Sequence, residues 1–194
     1  MSENALTSTA LLGYARSDFL KLKPLFGTWN PRELIDVQVR GHMESLRGGI
    51  ERYVPDRLIS LAIPKGAIKV DMLLTTLPLQ DAYSPDTFPF LEFASEEVLA
   101  NIKGLIKACG SQHRFEALRR LFREKSKTVD QLQKAYDKGS TAVAKGKGNT
   151  AAVRGILERI EVEKAKMKGL GIWGFKIYDL SKFAKIDFLY FLLN

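Results

Sequence analysis

Residues 112–138 read QHRFEALRRLFREKSKTVDQLQKAYDK, and the fold class turns on this stretch. Phe115, Leu118, Phe122, Val129, Leu132 and Tyr136 recur at helical spacings, so at roughly 100° per residue they share one side of an α-helix. Arg120, Arg123, Lys127, Lys134 and Lys138 follow the same spacing on the opposite side, with Arg119 beside them. The pattern predicts an amphipathic helix whose polar face is a cationic stripe about five turns long. Its acids, Glu116, Glu124, Asp130 and Asp137, are fewer than its cations.

Downstream, residues 139–149 (GSTAVAKGKGN) read as a flexible basic loop carrying Lys145 and Lys147. Thr150 is placed to cap a further helix with Val153, Ile156, Leu157 and Ile160 inward, running to Lys168 and stopping at Gly169. Phe175–Leu180 suits a strand, and Ser181–Leu193 either a capped helix or a strand.

Upstream, Ser95 with Glu96 and Glu97 makes a helix start, followed by an apolar face of Val98, Leu99, Ile102, Leu105 and Ile106. Pro78, Pro85 and Pro89 mark a connection. Ile68, Val70, Met72 and Leu74 alternate with Lys69, Asp71 and Leu73, and Pro64-Lys65-Gly66 could fold them back on Leu58–Ile63. A β-hairpin within 58–77 is therefore expected, with a short helix capped at Asp56 as the rival reading. Asn30, Pro31 and Glu33 read as N-cap, N1 and N3 of another helix. Leu6, Leu11, Leu12, Phe19, Leu20 and Leu22 give a helical pattern over 5–23, weakened by Gly13 and stopped by Pro24. The class is mainly α (α+β), with a small hairpin near 58–77 and C-terminal strand; the alternative is all-α. Two lobes, 1–84 and 90–194, or one compact domain, fit the 194 residues.

Charge is unevenly placed. The net charge is +8, but residues 1–99 hold 10 basic and 13 acidic side chains, whereas residues 100–168 hold 17 and 7, a net of +10. Such a block is a local field that attracts anions. The single cysteine, Cys109, excludes an intrachain disulfide and a four-cysteine zinc site, and fits a reducing compartment. The start, Met1-Ser2-Glu3-Asn4, lacks a secretory or myristoylation signal, there is no prenylation cysteine, and no apolar run approaches the roughly 20 residues that span a bilayer. A cytoplasmic protein is expected, or a virion component if the source is a virus.

Catalytic constellations are thin. No Gly-x-x-x-x-Gly-Lys-Ser/Thr string occurs, so the glycine-lysine loop is not a P-loop. Cys109 and His113 stand four apart, the spacing of a thiolate–imidazole pair, but Gly110 and Ser111 interrupt any helix between them. His42 falls on an apolar helix face and reads as packing. Asp71, Asp86 and Glu92 have no accompanying Glu-x-Lys, which a metal-dependent nuclease strand would supply. No cofactor or metal is expected.

These observations converge on a non-enzymatic polyanion binder. Arg119, Arg120, Arg123, Lys127, Lys134 and Lys138 are expected to line its face, with Lys145, Lys147 and Arg154 closing over an RNA or DNA backbone. The same cations would suit an anionic lipid surface, and a nucleic-acid-processing enzyme is a further alternative. Phe188, Tyr190, Phe191, Leu192 and Leu193 form a run too apolar to leave in water, pointing to core or to a homo-oligomer. A structural or packaging role of the nucleocapsid or matrix kind follows by analogy with that general character.

Overall fold

The structure, a computed structural model, describes residues 9–27, 33–49, 51–77, 84–102 and 104–183. It is mainly helical, with one four-stranded sheet. The strands are β1 (Leu11–Asp18), β2 (Ile59–Ile63), β3 (Lys107–Cys109) and β4 (Ile172–Asp179), in the order β1-β4-β2-β3. β4 runs antiparallel to β1 and parallel to β2, and β3 runs antiparallel to β2. β4, the last of these in chain order, thus lies between β1 and β2. β4 is buried along most of its length, and Trp173, Phe175 and Ile177 join the main core. The outer strands are covered too: β1 bridges to Leu74 and Phe90, and β3 to Leu25, so neither edge offers a free ladder.

The helices are α1 (Phe19–Leu22), α2 (Asp36–Arg47), α3 (Glu96–Asn101), α4 (Gln112–Ala144) and α5 (Thr150–Lys168). α4 docks its first third on the sheet through Ala117, Leu118 and Leu121, against a core that also holds Phe19, Ile59 and Trp173. It then leaves the core. Its 33 residues make a rod of roughly 50 Å, and nothing from 122 to 144 is fully buried. α5 returns antiparallel along it. Gly139 allows the two helices to close up, since a Cβ there would sit 2.8 Å from Val153. Segments before residue 84 and after residue 90 share one sheet and one core cluster.

Several expectations are corrected. The hairpin at 58–77 does not form. β2 ends at Ile63, short 3₁₀ turns follow at Lys65–Ala67 and Val70–Met72, and β2 pairs instead with β3 and β4. Over 68–74 the backbone makes no regular ladder: Lys69 donates to Glu92 and Leu74 exchanges bonds with Tyr14, while Ile68, Met72 and Leu73 donate to carbonyls three residues back. Of the helix expected over 5–23, residues 5–8 lie outside the described residues, and Leu11–Asp18 is instead a strand, followed by a single helical turn. Gly13 marks the difference. It sits at φ +149° in a bulge, where a Cβ would strike Leu74 O at 2.7 Å.

Helix α2 begins at Asp36 without a side-chain cap, and Glu33 is not helical; the proposed Asn30-Pro31 start lies outside the described residues. Ser95 does cap α3, its Oγ accepting from Val98 N at 3.1 Å. That helix ends at Asn101, however, and Ile106 leads into β3 rather than completing a helical face. The basic loop shrinks to Lys145–Asn149 because α4 continues to Ala144, and Asn149 rather than Thr150 caps α5. The expected strand at 175–180 is present as part of β4. The run Phe188, Tyr190, Phe191, Leu192 and Leu193 lies outside the described residues. No helix among the described residues is long and apolar enough to cross a membrane.

Candidate functional site

The cationic face of α4 divides into two parts. At the base, cations meet acids. Arg120 pairs with Asp36 of α2 and, at 3.1 Å, with Glu116; Arg119 also reaches Glu116 at 3.3 Å. Asp36 further holds Arg40 at 3.2 Å, and Arg47 of α2 binds Glu124 at 2.8 Å. Arg120 and Arg40 hold the Asp36 carboxyl below its usual pKa, and the same contacts raise that of Arg120. These pairs staple α2 to α4, so Arg120 serves an internal contact rather than standing ready for a ligand.

Beyond the base the pattern changes. Arg123, Lys127, Lys134 and Lys138 point outward on one side of α4, and among the described residues none has a carboxylate within ion-pair distance. Lys145 and Lys147 continue the row at the exposed turn, also unpaired among the described residues. Arg154 is exposed on α5 but engages Glu158 at 3.3 Å. On the inner side, Lys125 and Lys166 both bind Glu163, at 3.1 and 2.7 Å, which depresses the Glu163 carboxyl and ties α4 to α5. Charge is thus ion-paired along the seam, whereas along the outer row the four cations form no ion pair among the described residues and outnumber the two exposed acids on that side, Asp130 and Asp137.

A cleft of about 880 Å³ opens at the base of the hairpin, between α1, α4 and the end of α5. Leu20, Pro24, Phe115, Phe122, Val129 and Met167 form its apolar lining. Lys21, Lys23, Arg119, Arg123, Lys164 and Lys168 stand around it, against two carboxylates, Asp18 and Asp130. Asp18 is already engaged: its Oδ1 accepts from Leu20 N and Lys21 N and so fixes α1 in place. The last carbonyls of α5 would present negative charge here, but Arg52 binds Gly169 O and Leu170 O at 3.0 and 2.8 Å. Arg123 belongs both to the cleft and to the outer row, and joins the two.

The sequence did not reveal Lys21, Lys23, Lys164 and Lys168 as members of one site. They come from segments about 140 residues apart, brought together by Phe19 packing against Phe115 at 4.9 Å and by Phe19 N bonding Gly171 O. A local signal existed in Lys21-Leu22-Lys23, two cations flanking an apolar residue, but nothing local says what it faces.

The enzyme-like constellations have structural partners. His113 is buried, and its Nε2 accepts from Ile35 N at 2.9 Å. Glu92 binds Lys69 at 2.8 Å, and Asp86 lies 3.3 Å from Arg16. Arg114 donates to Arg57 O, as does Trp173 Nε1, and burial lowers the pKa of this guanidinium and that of Arg52. Among the described residues no group of three or more His, Cys, Asp or Glu is placed to hold a metal ion. Comparison of the chain with protein-family models, curated proteins and solved structures finds no match in any of the three.

Proposed function

We propose that this is a non-enzymatic, sequence-nonspecific nucleic-acid-binding protein that uses the outer face of the α4–α5 hairpin. One observation carries the reading: among the described residues, Arg123, Lys127, Lys134 and Lys138 lie without an ion pair along a single side of α4, where they outnumber Asp130 and Asp137, and lead to Lys145 and Lys147 at its tip. From residue 123 to 138 the row extends roughly 22 Å. Cations left without acids cost self-repulsion and contribute nothing to the fold, so a polyanion that releases its counterions on binding is the fitting partner. A line of charges suits a phosphate backbone better than a membrane plane, which would be matched by a broad flat cationic surface. Contacts of this kind position a strand without reading bases.

Self-association belongs to the same proposal, with Phe188, Tyr190, Phe191, Leu192 and Leu193 as its contacts. Together they would give a packaging or coat role in a reducing, cytoplasmic setting, with Cys109 left as a thiol. Deleting residues 186–194 and following sedimentation tests this part; unchanged assembly would refute it.

The test of the main reading is to replace Arg123, Lys127, Lys134 and Lys138 together with Gln. Gln has helix propensity close to Lys and Arg, so Tm should hold. Affinity for nucleic acid should fall by at least about tenfold, and the log–log salt slope should shrink by about 3 in magnitude. Unchanged affinity in the folded variant would overturn the reading. Retained nucleic-acid affinity with lost binding to phosphatidylserine vesicles would assign the row to membranes instead.

A further inference from the structure

We infer that the cleft at the hairpin base receives unpaired bases, so that the preferred ligand is single-stranded rather than duplex nucleic acid. The inference rests on the reading above and sharpens it. Three features of the cleft lead there.

The first is chemical composition. An aromatic and aliphatic lining ringed by cations matches a ligand with flat apolar faces and an anionic backbone. Phe122 is 38% exposed although its ring is large and apolar, and it opens into the cleft. Exposed aromatics beside cations are the elements on which unpaired bases stack. The second is charge. Lys23, Arg123 and Lys168 have no carboxylate within ion-pair distance among the described residues, while the nearby Asp18 is held by the α1 backbone. The third is continuity. Arg123 begins the outer row and also lines the cleft, so a strand whose phosphates follow Lys127, Lys134 and Lys138 passes the single carboxylate of Asp130 and arrives at the cleft beside Arg123.

Duplex nucleic acid cannot use this cleft, because its base faces are stacked inside the helix. A single strand can place phosphates on the row and turn a base toward Phe122. The cleft volume lies in the range of roughly 300–1,000 Å³ that holds small organic groups. It is open rather than tunnel-shaped, and Asp130 stands in its wall, which disfavours a buried acyl chain.

The experiment compares a fluorescent oligothymidylate of roughly 12 nucleotides with a duplex of equal length at matched salt. Wild-type protein should bind the single strand more tightly. Phe122→Ala should weaken single-strand binding about tenfold and leave duplex binding unchanged, and Phe122→Trp should retain it. Phe122 is partly exposed, so both variants are expected to fold; Tm checks this, and if the alanine variant does not fold, the tryptophan variant decides by quenching on single-strand addition. Equal affinity for both nucleic acids, or an equal loss for both in Phe122→Ala, would overturn the inference. So would saturable dodecanoate binding that depends on Phe122 without any single-strand preference, which would make the cleft an amphiphile site. If the four-Gln variant loses binding while Phe122→Ala changes nothing, the hairpin reading stands and this one falls. If wild-type protein binds neither nucleic acid, both fall.

Discussion

The two ends of α4 share one sequence rhythm and meet different fates. At the base, Ala117, Leu118 and Leu121 enter the sheet core and the cations are neutralised by Glu116 and Asp36. In the outer part Val129, Leu132 and Tyr136 are only half-buried, and the cations there face solvent unpaired. The same residue types are therefore ion-paired within the fold at one end and stand in solvent without an ion pair at the other. What separates them is whether a third element, here α2 or the sheet, lies against the helix.

The largest test of this contrast is on stability. Leu118→Ala should cost about 2–5 kcal/mol by leaving a core cavity, a Tm fall on the order of 10 °C, whereas Leu132→Ala should cost about 1 kcal/mol. Thermal melts measure both, and equal losses would show that the hairpin is as tightly built as the base. The second test crosses stability with binding. Arg119→Gln with Arg120→Gln should lower Tm slightly, because Glu116 loses both its partners and Asp36 keeps only Arg40, and should weaken nucleic-acid binding less than the four outer replacements do. A larger binding loss from the base pair would reverse the assignment of the two ends.

A third, smaller expectation concerns hydrogen exchange. Amides of 126–144 should exchange faster than those of 115–122, because local opening of the two-helix arm exposes little apolar surface. The smallest effect is a pH dependence at the base. Burial, followed by the nearby Arg114 and His113, lowers the His42 pKa. The unfolded chain then takes up this proton before the folded one. Stability is full above the ordinary histidine range and declines as pH falls through the folded pKa. Tm should therefore drop on acidification from about pH 7 to 5, by less in His42→Gln; identical curves would remove His42 from the account.

The apolar positions at 112–138 were legible as a helix, yet they were read as one face where there are two. Val129, Leu132 and Tyr136 are half-buried on the side of α4 where Lys125 and Gly139 meet α5. Near the base the buried sector, Ala117, Leu118 and Leu121, is centred roughly 50° away from that face. Phe122, expected inside, is left on the cleft wall. Periodicity reports an average direction over a helix and cannot show that its partner changes along the way. The strand at 11–18 is hidden for a related reason: its apolar residues fit a helical period, and only Gly13, at the bulge in the β4 pairing and tight against Leu74 O, dissents. Ser95 was readable because capping is satisfied within four residues.

The sequence by itself determined the mainly helical class, the long amphipathic helix, the Ser95 cap, and the concentration of positive charge in residues 100–168. Each depends on neighbours within a turn or two, or on composition. Tertiary structure alone decided the strand order, with β4 inserted between β1 and β2, and the pairing of Arg120 with Asp36. It also decided which cations stay free and how α1, α4 and α5 enclose the cleft. These depend on contacts between residues many tens of positions apart, whose formation is governed by the packing of the whole core.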